Sequence, residues 1–146
     1  GHGDSMVAML NSTEVNGKKI NDLIKDGSIS QEKIDTIVDR TKKGGAEIVK
    51  FLEKGSAFYA PAASGVQMAE SYLKDLKKNL PCAVHLNGEY GVKDLYAGVP
   101  VIIGKNGVEK ILEINLSPQE KNDFNNSIKA VEELFKAAKK IDPNLE

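Results

Sequence analysis

A chain of 146 residues has the length of one domain and is long enough to bury an apolar core. Its hydrophobic fraction of 40% and charged fraction of 28% are ordinary for a soluble globular protein, and no apolar run approaches the roughly 20 residues of a membrane span. A net charge of −1 gives no indication of a nucleic-acid or anionic-membrane surface, and one cysteine cannot form an internal disulfide, which fits a reducing cytosol or mitochondrial matrix.

The N-terminal part predicts short elements. Residues from Met6 to Val15 are apolar and β-branched enough for a strand, and Asn16-Gly17 is a strong turn signal. Residues from Asn21 to Lys25 can form a short helix that ends at Asp26-Gly27. We therefore expect a strand and a turn before the first long helix.

A long helix is predicted to begin with Ser30 as its N-cap and to end with Gly55 as its C-cap. Gly44 and Gly45 lie on its apolar stripe, where they would permit either a bend or the close approach of another backbone. Close approach is the interpretation that we prefer. The stripe consists of seven residues: Ile34, Ile37, Val38, Thr41, Ile48, Val49 and Leu52.

A second helix is predicted around Pro61, which suits a first helical turn because it lacks only an N–H that would be unpaired there. It should extend through Met68 and Tyr72 to about Lys78. Its first turns carry small side chains, which leave room for a packed neighbour or a ligand: Ala60, Ala62, Ala63, Ser64 and Gly65.

The remaining pattern indicates an antiparallel meander and a final helix. Strands are predicted at 82–87, 99–103 and 112–116, with turns at Asn87-Gly88 and at 105–107. Ser117-Pro118-Gln119-Glu120 is a capping box that begins the last helix. Residues 1–146 are therefore predicted to form one α+β domain, with antiparallel strands packed against long helices.

Several motifs in this order resemble the C-terminal half of the NAD-dependent malate dehydrogenases, in particular the bacterial type closest to lactate dehydrogenase. They are Gly1-His2-Gly3-Asp4-Ser5, Gly44-Gly45-Ala46-Glu47-Ile48-Val49, residues 55–64, Leu80-Pro81-Cys82-Ala83, Gly88-Glu89-Tyr90-Gly91-Val92 and Gly98-Val99-Pro100. The resemblance implies the lactate/malate dehydrogenase C-terminal fold and an NAD-binding Rossmann domain that is absent from this chain. No Gly-x-Gly-x-x-Gly follows a strand here, as that domain would require.

The resemblance assigns roles to three residues. His2 matches the proton acceptor for the malate hydroxyl, Ala57 and Pro61 match positions that bind the substrate, and Pro61 also matches a contact to the nicotinamide. Lactate dehydrogenases usually carry threonine and isoleucine at the positions that match Ala57 and Pro61. The smaller Ala57, and Gly1 before the histidine, therefore favour malate over lactate.

Other candidate groups are assigned no role in the chemistry. Asp4 is expected to hold the loop, because the family's histidine pairs with an aspartate earlier in the chain, and Arg40 matches no substrate clamp. Cys82 and His85 should lie on opposite faces of a strand, so neither a Cys–His nucleophile nor a metal site is expected. Judged without the other motifs, His2 would be an ordinary loop residue, and Gly1-His2 could be the remnant of a cleaved tag.

The resemblance also implies the partners of the full-length protein. They are malate and oxaloacetate, NAD bound mainly by the other half, and further copies of the same chain in a dimer or tetramer, in a bacterial cytoplasm. Neither nucleic acid nor membrane is expected as a partner. Without the other half we expect no activity. The alternatives are the C-terminal domain of an L-lactate dehydrogenase and a non-enzymatic oligomerisation domain.

Overall fold

The computed structural model describes residues 3–145, which form two compact units. The first unit comprises residues up to Ser56 together with Ile114–Ala130, and the second comprises Ala57–Glu113 together with Val131 onward. The elements are β1 (Glu14–Val15), β2 (Lys18–Lys19), α1 (Ile20–Lys25), α2 (Gln31–Lys42), α3 (Gly44–Leu52), α4 (Tyr59–Leu73), β3 (Lys78–Asn87), β4 (Lys93–Gly104), β5 (Gly107–Ile111) and α5 (Pro118–Ile141). This is the predicted α+β class.

The N-terminal strand prediction is wrong for most of its length. Only Glu14–Val15 pairs, with Lys18–Lys19 across the predicted Asn16-Gly17 turn. Before it, the backbone folds into consecutive turns, in which the amide of Thr13 donates to the carbonyl of Leu10 and its hydroxyl donates to the carbonyl of Met9. Because these groups bond locally, they are not presented to a neighbouring strand.

The long helix predicted from Ser30 is two helices. Ser30 caps α2 as expected, with its hydroxyl accepting from the amide of Lys33 at 3.2 Å. The helix is interrupted at Lys43, and α3 begins at Gly44. A Cβ added at Gly44 or Gly45 would meet nothing within 4 Å among the described residues, so the close approach that we preferred is wrong. The glycines instead follow the break between the two helices.

The predicted C-cap at Gly55 is also wrong. Helix α3 ends at Leu52, and Glu53 takes the left-handed C-cap conformation with φ 59°. Gly55 follows with φ 89° and belongs to the connection to α4. That helix ends at Leu73, several residues before the predicted end.

The second unit is built on a three-stranded antiparallel sheet in the order β3-β4-β5. β3 and β4 pair from Lys78↔Ile103 to Leu86↔Leu95 before the register shifts beyond Leu86. Alternation places one set of side chains in the core: Leu80, Leu86, Ala97, Val99, Val101 and Ile103. The third strand was predicted at 112–116 but lies at Gly107–Ile111, since the tight Lys105-Asn106-Gly107 turn starts pairing at once.

A buried serine joins α4 to this sheet. Ser71 is 0% exposed, and its hydroxyl donates to the carbonyl of Ile103 at 2.7 Å and accepts from the amide of Lys78 at 3.2 Å. One side chain therefore bonds to β3 and to β4. The same edge is crowded at Gly104, where an added Cβ would lie 2.5 Å from the Glu109 carboxylate and 2.8 Å from that of Asp75.

Helix α5 begins with the predicted capping box. The amide of Ser117 donates to Glu120 Oε2 at 2.8 Å, and the amide of Glu120 donates to the Ser117 hydroxyl at 3.3 Å. In the first unit the helix buries Ile128. Further along, Ile141 is 88% exposed, so the apolar side chains of this helix are not buried along its whole length.

Candidate functional site

The predicted proton acceptor, His2, lies outside the described residues. The structure describes the chain from Gly3, which begins a 3₁₀ turn over Gly3–Ser5. Gly3 has φ 59°, a backbone conformation that glycine adopts at little cost, and its carbonyl accepts from the amide of Met6 at 3.0 Å. The residues that follow His2 therefore form a closed turn.

This turn lies near the junction of α2 and α3. Asp39 raises the pKa of Lys43, first through a hydrogen bond and then through its charge, and the charge of Asp4 contributes a smaller increase. Asp4 is exposed, and its carboxylate lies within electrostatic range of Lys43. The prediction that Asp4 holds the loop remains a prediction.

A buried carboxylate anchors the loop that comes next. Glu120 is 6% exposed, and its Oε1 accepts from the amide of Asn11 at 2.9 Å while its Oε2 accepts from Ser117. Burial raises the pKa of Glu120, but the hydrogen bonds from Asn11 and Ser117 outweigh it and leave the pKa below its usual value. The capping box was visible in the sequence. The bond to Asn11 was not, because it joins residues 109 positions apart.

Ala57 and Pro61 lie together at the start of α4, in the second unit. Ala57 is half-buried and precedes the N-cap residue Phe58, whose carbonyl accepts from the amide of Ala62 at 2.9 Å. Pro61 is exposed in the first turn of the helix, as predicted. The small side chains that follow Pro61 are also exposed.

Arg40 forms an ion pair within the first unit. Its guanidinium donates to both carboxylate oxygens of Glu47, at 3.1 and 2.9 Å, which raises the pKa of Arg40 and lowers the pKa of Glu47. The pair joins α2 to α3 beside a groove of about 460 Å³ that Ile37, Ile48 and Phe51 also line. That Arg40 matches no substrate clamp stays a prediction.

The remaining histidine and the cysteine lie on opposite faces of β3, as predicted. Cys82 is half-buried, whereas His85 is exposed. The His85 ring packs edge-on against the ring of Tyr96, with 5.3 Å between the ring centroids. Among residues 3–145, no group of three or more histidine, cysteine, aspartate or glutamate side chains is arranged to hold a metal ion. The helices of that part of the chain include none long and apolar enough to cross a membrane.

Comparison with known proteins decides the family. Residues 1–142 match the family described as "lactate/malate dehydrogenase, alpha/beta C-terminal domain". The chain belongs to the lactate/malate dehydrogenase family. The resemblance predicted from the sequence motifs is therefore confirmed at the level of this C-terminal domain, and with it the predicted fold.

The similar proteins include both malate dehydrogenases and lactate dehydrogenases. The chain is 67% identical over 145 residues to a malate dehydrogenase of Pelagibacter ubique, covering 99% of this chain and 45% of that protein. A malate dehydrogenase structure from Cryptosporidium parvum superimposes with a TM-score of 0.91 at 45% identity, over 96% of this chain and 45% of that chain. A lactate dehydrogenase structure from Eimeria maxima, with NADH and oxamate, superimposes with a TM-score of 0.92 at 43% identity, over 99% of this chain and 46% of that chain. The chain thus spans about half the length of these relatives.

Proposed function

We propose that this chain is the C-terminal half of an NAD-dependent malate dehydrogenase, which interconverts malate and oxaloacetate in the bacterial cytoplasm. The observation that carries the proposal is the 67% identity to the Pelagibacter ubique malate dehydrogenase over nearly the whole chain. In this proposal a Rossmann domain, which binds most of the NAD, precedes Gly1 in the full-length protein.

His2 is the proposed proton acceptor. An imidazole has an unperturbed pKa near 6.5, so it can take the proton of the malate hydroxyl at neutral pH and return it in the reverse reaction. NAD, when bound, would supply the acceptor for the hydride that leaves the carbon bearing this hydroxyl.

The start of α4 fits a substrate and a nicotinamide ring. Pro61 is exposed and has no N–H, so it offers an apolar face without a donor that the ring would leave unpaired. Ala57 carries only a methyl group, which leaves space for the second carboxylate of malate without the backbone freedom that glycine would bring. The small residues after Pro61 keep the same surface open.

The test is a fusion in which the unmatched part of the Pelagibacter ubique malate dehydrogenase precedes this chain. Malate-dependent NADH formation, followed by absorbance, is expected from the fusion and not from the isolated chain. His2→Gln should lower kcat of the fusion by roughly 100-fold or more, because general base catalysis contributes about 10²–10⁴. His85→Gln is the matched control, since His85 is exposed on β3, and it should leave kcat within about twofold.

Two results would overturn the proposal. The first is a His2→Gln fusion that keeps the kcat of the parent fusion. The second is sustained malate oxidation by the isolated chain, which lacks the orientation of reactants that accounts for roughly 7–11 kcal/mol of such barriers.

The second candidate is an L-lactate dehydrogenase domain. It is favoured by the 43% identity and TM-score of 0.92 to the Eimeria maxima lactate dehydrogenase. Ala57→Thr with Pro61→Ile introduces the residues usual in lactate dehydrogenases, and it should lower the ratio of malate to lactate kcat/KM by about tenfold if the pocket is built for malate. An unchanged ratio would remove the argument from these two positions.

We also propose that the full-length protein is a homo-oligomer, a dimer or a tetramer. Large apolar side chains are exposed on α3 and α4 in this chain, with Phe51 and Leu73 each 78% exposed and Val66 68% exposed. The same surfaces support the alternative of a non-enzymatic oligomerisation domain. Sedimentation of the isolated chain tests whether it self-associates, as both proposals expect, or is a monomer. A fusion that self-associates without oxidising malate would favour the non-enzymatic domain.

A further inference from the structure

We propose that Glu120 is a positioning residue, which fixes the segment that carries His2. This inference rests on the proposed function, in which His2 accepts the proton. It depends on a contact between two parts of the first unit that are distant in sequence, the loop at Asn11 and the beginning of α5.

The Glu120 carboxylate has a different partner on each oxygen. Oε1 accepts from the amide of Asn11 at 2.9 Å, and Oε2 accepts from the amide of Ser117 at 2.8 Å. The side chain is 6% exposed, so these two backbone donors replace most of its hydration. Charge-assisted bonds of this kind are stronger than neutral ones, which makes the link between the loop and the helix stiff.

The loop that Glu120 holds is itself tightly bonded. The hydroxyl and the amide of Thr13 donate to the carbonyls of Met9 and Leu10, and the carbonyl of Thr13 accepts from Ile20 at 3.1 Å. The Asn11 side chain additionally accepts from Asn21 at 3.3 Å. Glu120 therefore anchors a closed loop rather than a single residue.

This loop is the fixed end of the segment that leads back to His2. Residues 6–10 are half-buried, and Gly3–Ser5 forms the turn closed by Met6. A catalytic base must be held in a narrow range of positions, and a displacement of about 1 Å that originates far from the chemistry can lower a rate about 100-fold. Release of the loop at Asn11 would give the His2 segment such freedom.

The test compares three variants of the fusion described above. Glu120→Ala removes both bonds of the carboxylate, whereas Ser117→Ala removes only the hydroxyl of the capping box and leaves the bond to Asn11. We expect kcat for malate to fall roughly 10- to 100-fold in Glu120→Ala, with KM within about threefold. In Ser117→Ala kcat should stay within about twofold, although both variants weaken the beginning of α5. Glu120→Gln keeps one acceptor oxygen and should lie between them.

The deuterium isotope effect on kcat with 2-deuterated malate separates positioning from a purely structural role. A loss of folded enzyme lowers the apparent kcat without changing the isotope effect. A misplaced base slows the chemical step, so the isotope effect in Glu120→Ala should rise above that of the parent fusion. Circular dichroism establishes that each variant is folded at the assay temperature, and if Glu120→Ala is not, Glu120→Gln takes its place.

The inference is overturned if the folded Glu120 variant keeps the kcat and the isotope effect of Ser117→Ala. His2→Gln distinguishes this failure from that of the proposed function. If His2→Gln is inactive while Glu120→Ala is active, only the positioning role fails. If His2→Gln is active, the proposed function itself fails.

Discussion

The buried hydroxyl of Ser71 provides a sharp test of how α4 is held on its sheet. Ser71→Ala removes the oxygen that donates to the carbonyl of Ile103 at 2.7 Å and accepts from the amide of Lys78 at 3.2 Å. The helix concerned is the one whose first turn carries Pro61. The substitution therefore weakens the support of a predicted substrate-binding residue from a distance of several helical turns.

The expected cost follows from the two bonds. Each hydrogen bond contributes about 1 kcal/mol net, and burial of a group left unpaired adds to this. Alanine regains about 0.5 kcal/mol because its helix propensity exceeds that of serine. The free energy of unfolding should therefore fall by about 2 kcal/mol. For a chain of this length that corresponds to a decrease in Tm of about 6 °C.

Urea denaturation followed by circular dichroism measures this loss. Ser64→Ala is the matched control, because Ser64 is exposed on the same helix and loses the same atom, and its stability should be unchanged or higher by about 0.5 kcal/mol. Hydrogen exchange gives a local readout, since the amide of Lys78 should exchange faster in Ser71→Ala only. Equal stabilities of the two variants would refute the reasoning.

Three further predictions concern stability. Glu120→Gln should lower the free energy of unfolding by about 1–2 kcal/mol at pH 7. Because the folded pKa of Glu120 lies below its usual value of 4.5, this loss of stability should be complete above about pH 5 and should shrink as the pH falls through the folded pKa. A difference that stays constant with pH in urea titrations would contradict this prediction. Gly104→Ala should destabilise the fold by about 1–2 kcal/mol, because the added Cβ meets two carboxylates. Gly98→Ala on the same strand should not, because a Cβ added there meets nothing within 4 Å. Equal Tm values of the two variants would show that the carboxylates move away from the added Cβ. Gly44→Ala should raise stability by about 0.5–1 kcal/mol, since the added Cβ meets nothing within 4 Å, and a lower Tm of the isolated chain would restore the close approach that the structure does not show.

The elements that the sequence predicted correctly depend on neighbouring residues. Ser30 and the capping box at Ser117 satisfy amides only three positions away, so the residue types alone specify where α2 and α5 begin. The alternation along β3 similarly places Cys82 and His85 on opposite faces. By contrast, the apolar residues after Met6 suit a strand equally well whether or not a partner strand exists, and no strand within residues 3–145 pairs with them before Glu14.

The sequence by itself determined the class of fold, because periodicity and caps are properties of the chain, and its resemblance to the malate dehydrogenases made His2, Ala57 and Pro61 candidate residues. Only the tertiary structure decided that a break at Lys43 separates α2 from α3, that Ser71 joins α4 to two strands, and that Glu120 bonds to the loop at Asn11. The physical reason is that a hydrogen bond between residues 109 positions apart has no local pattern. It exists only once folding has brought a donor and an acceptor together and removed the water between them.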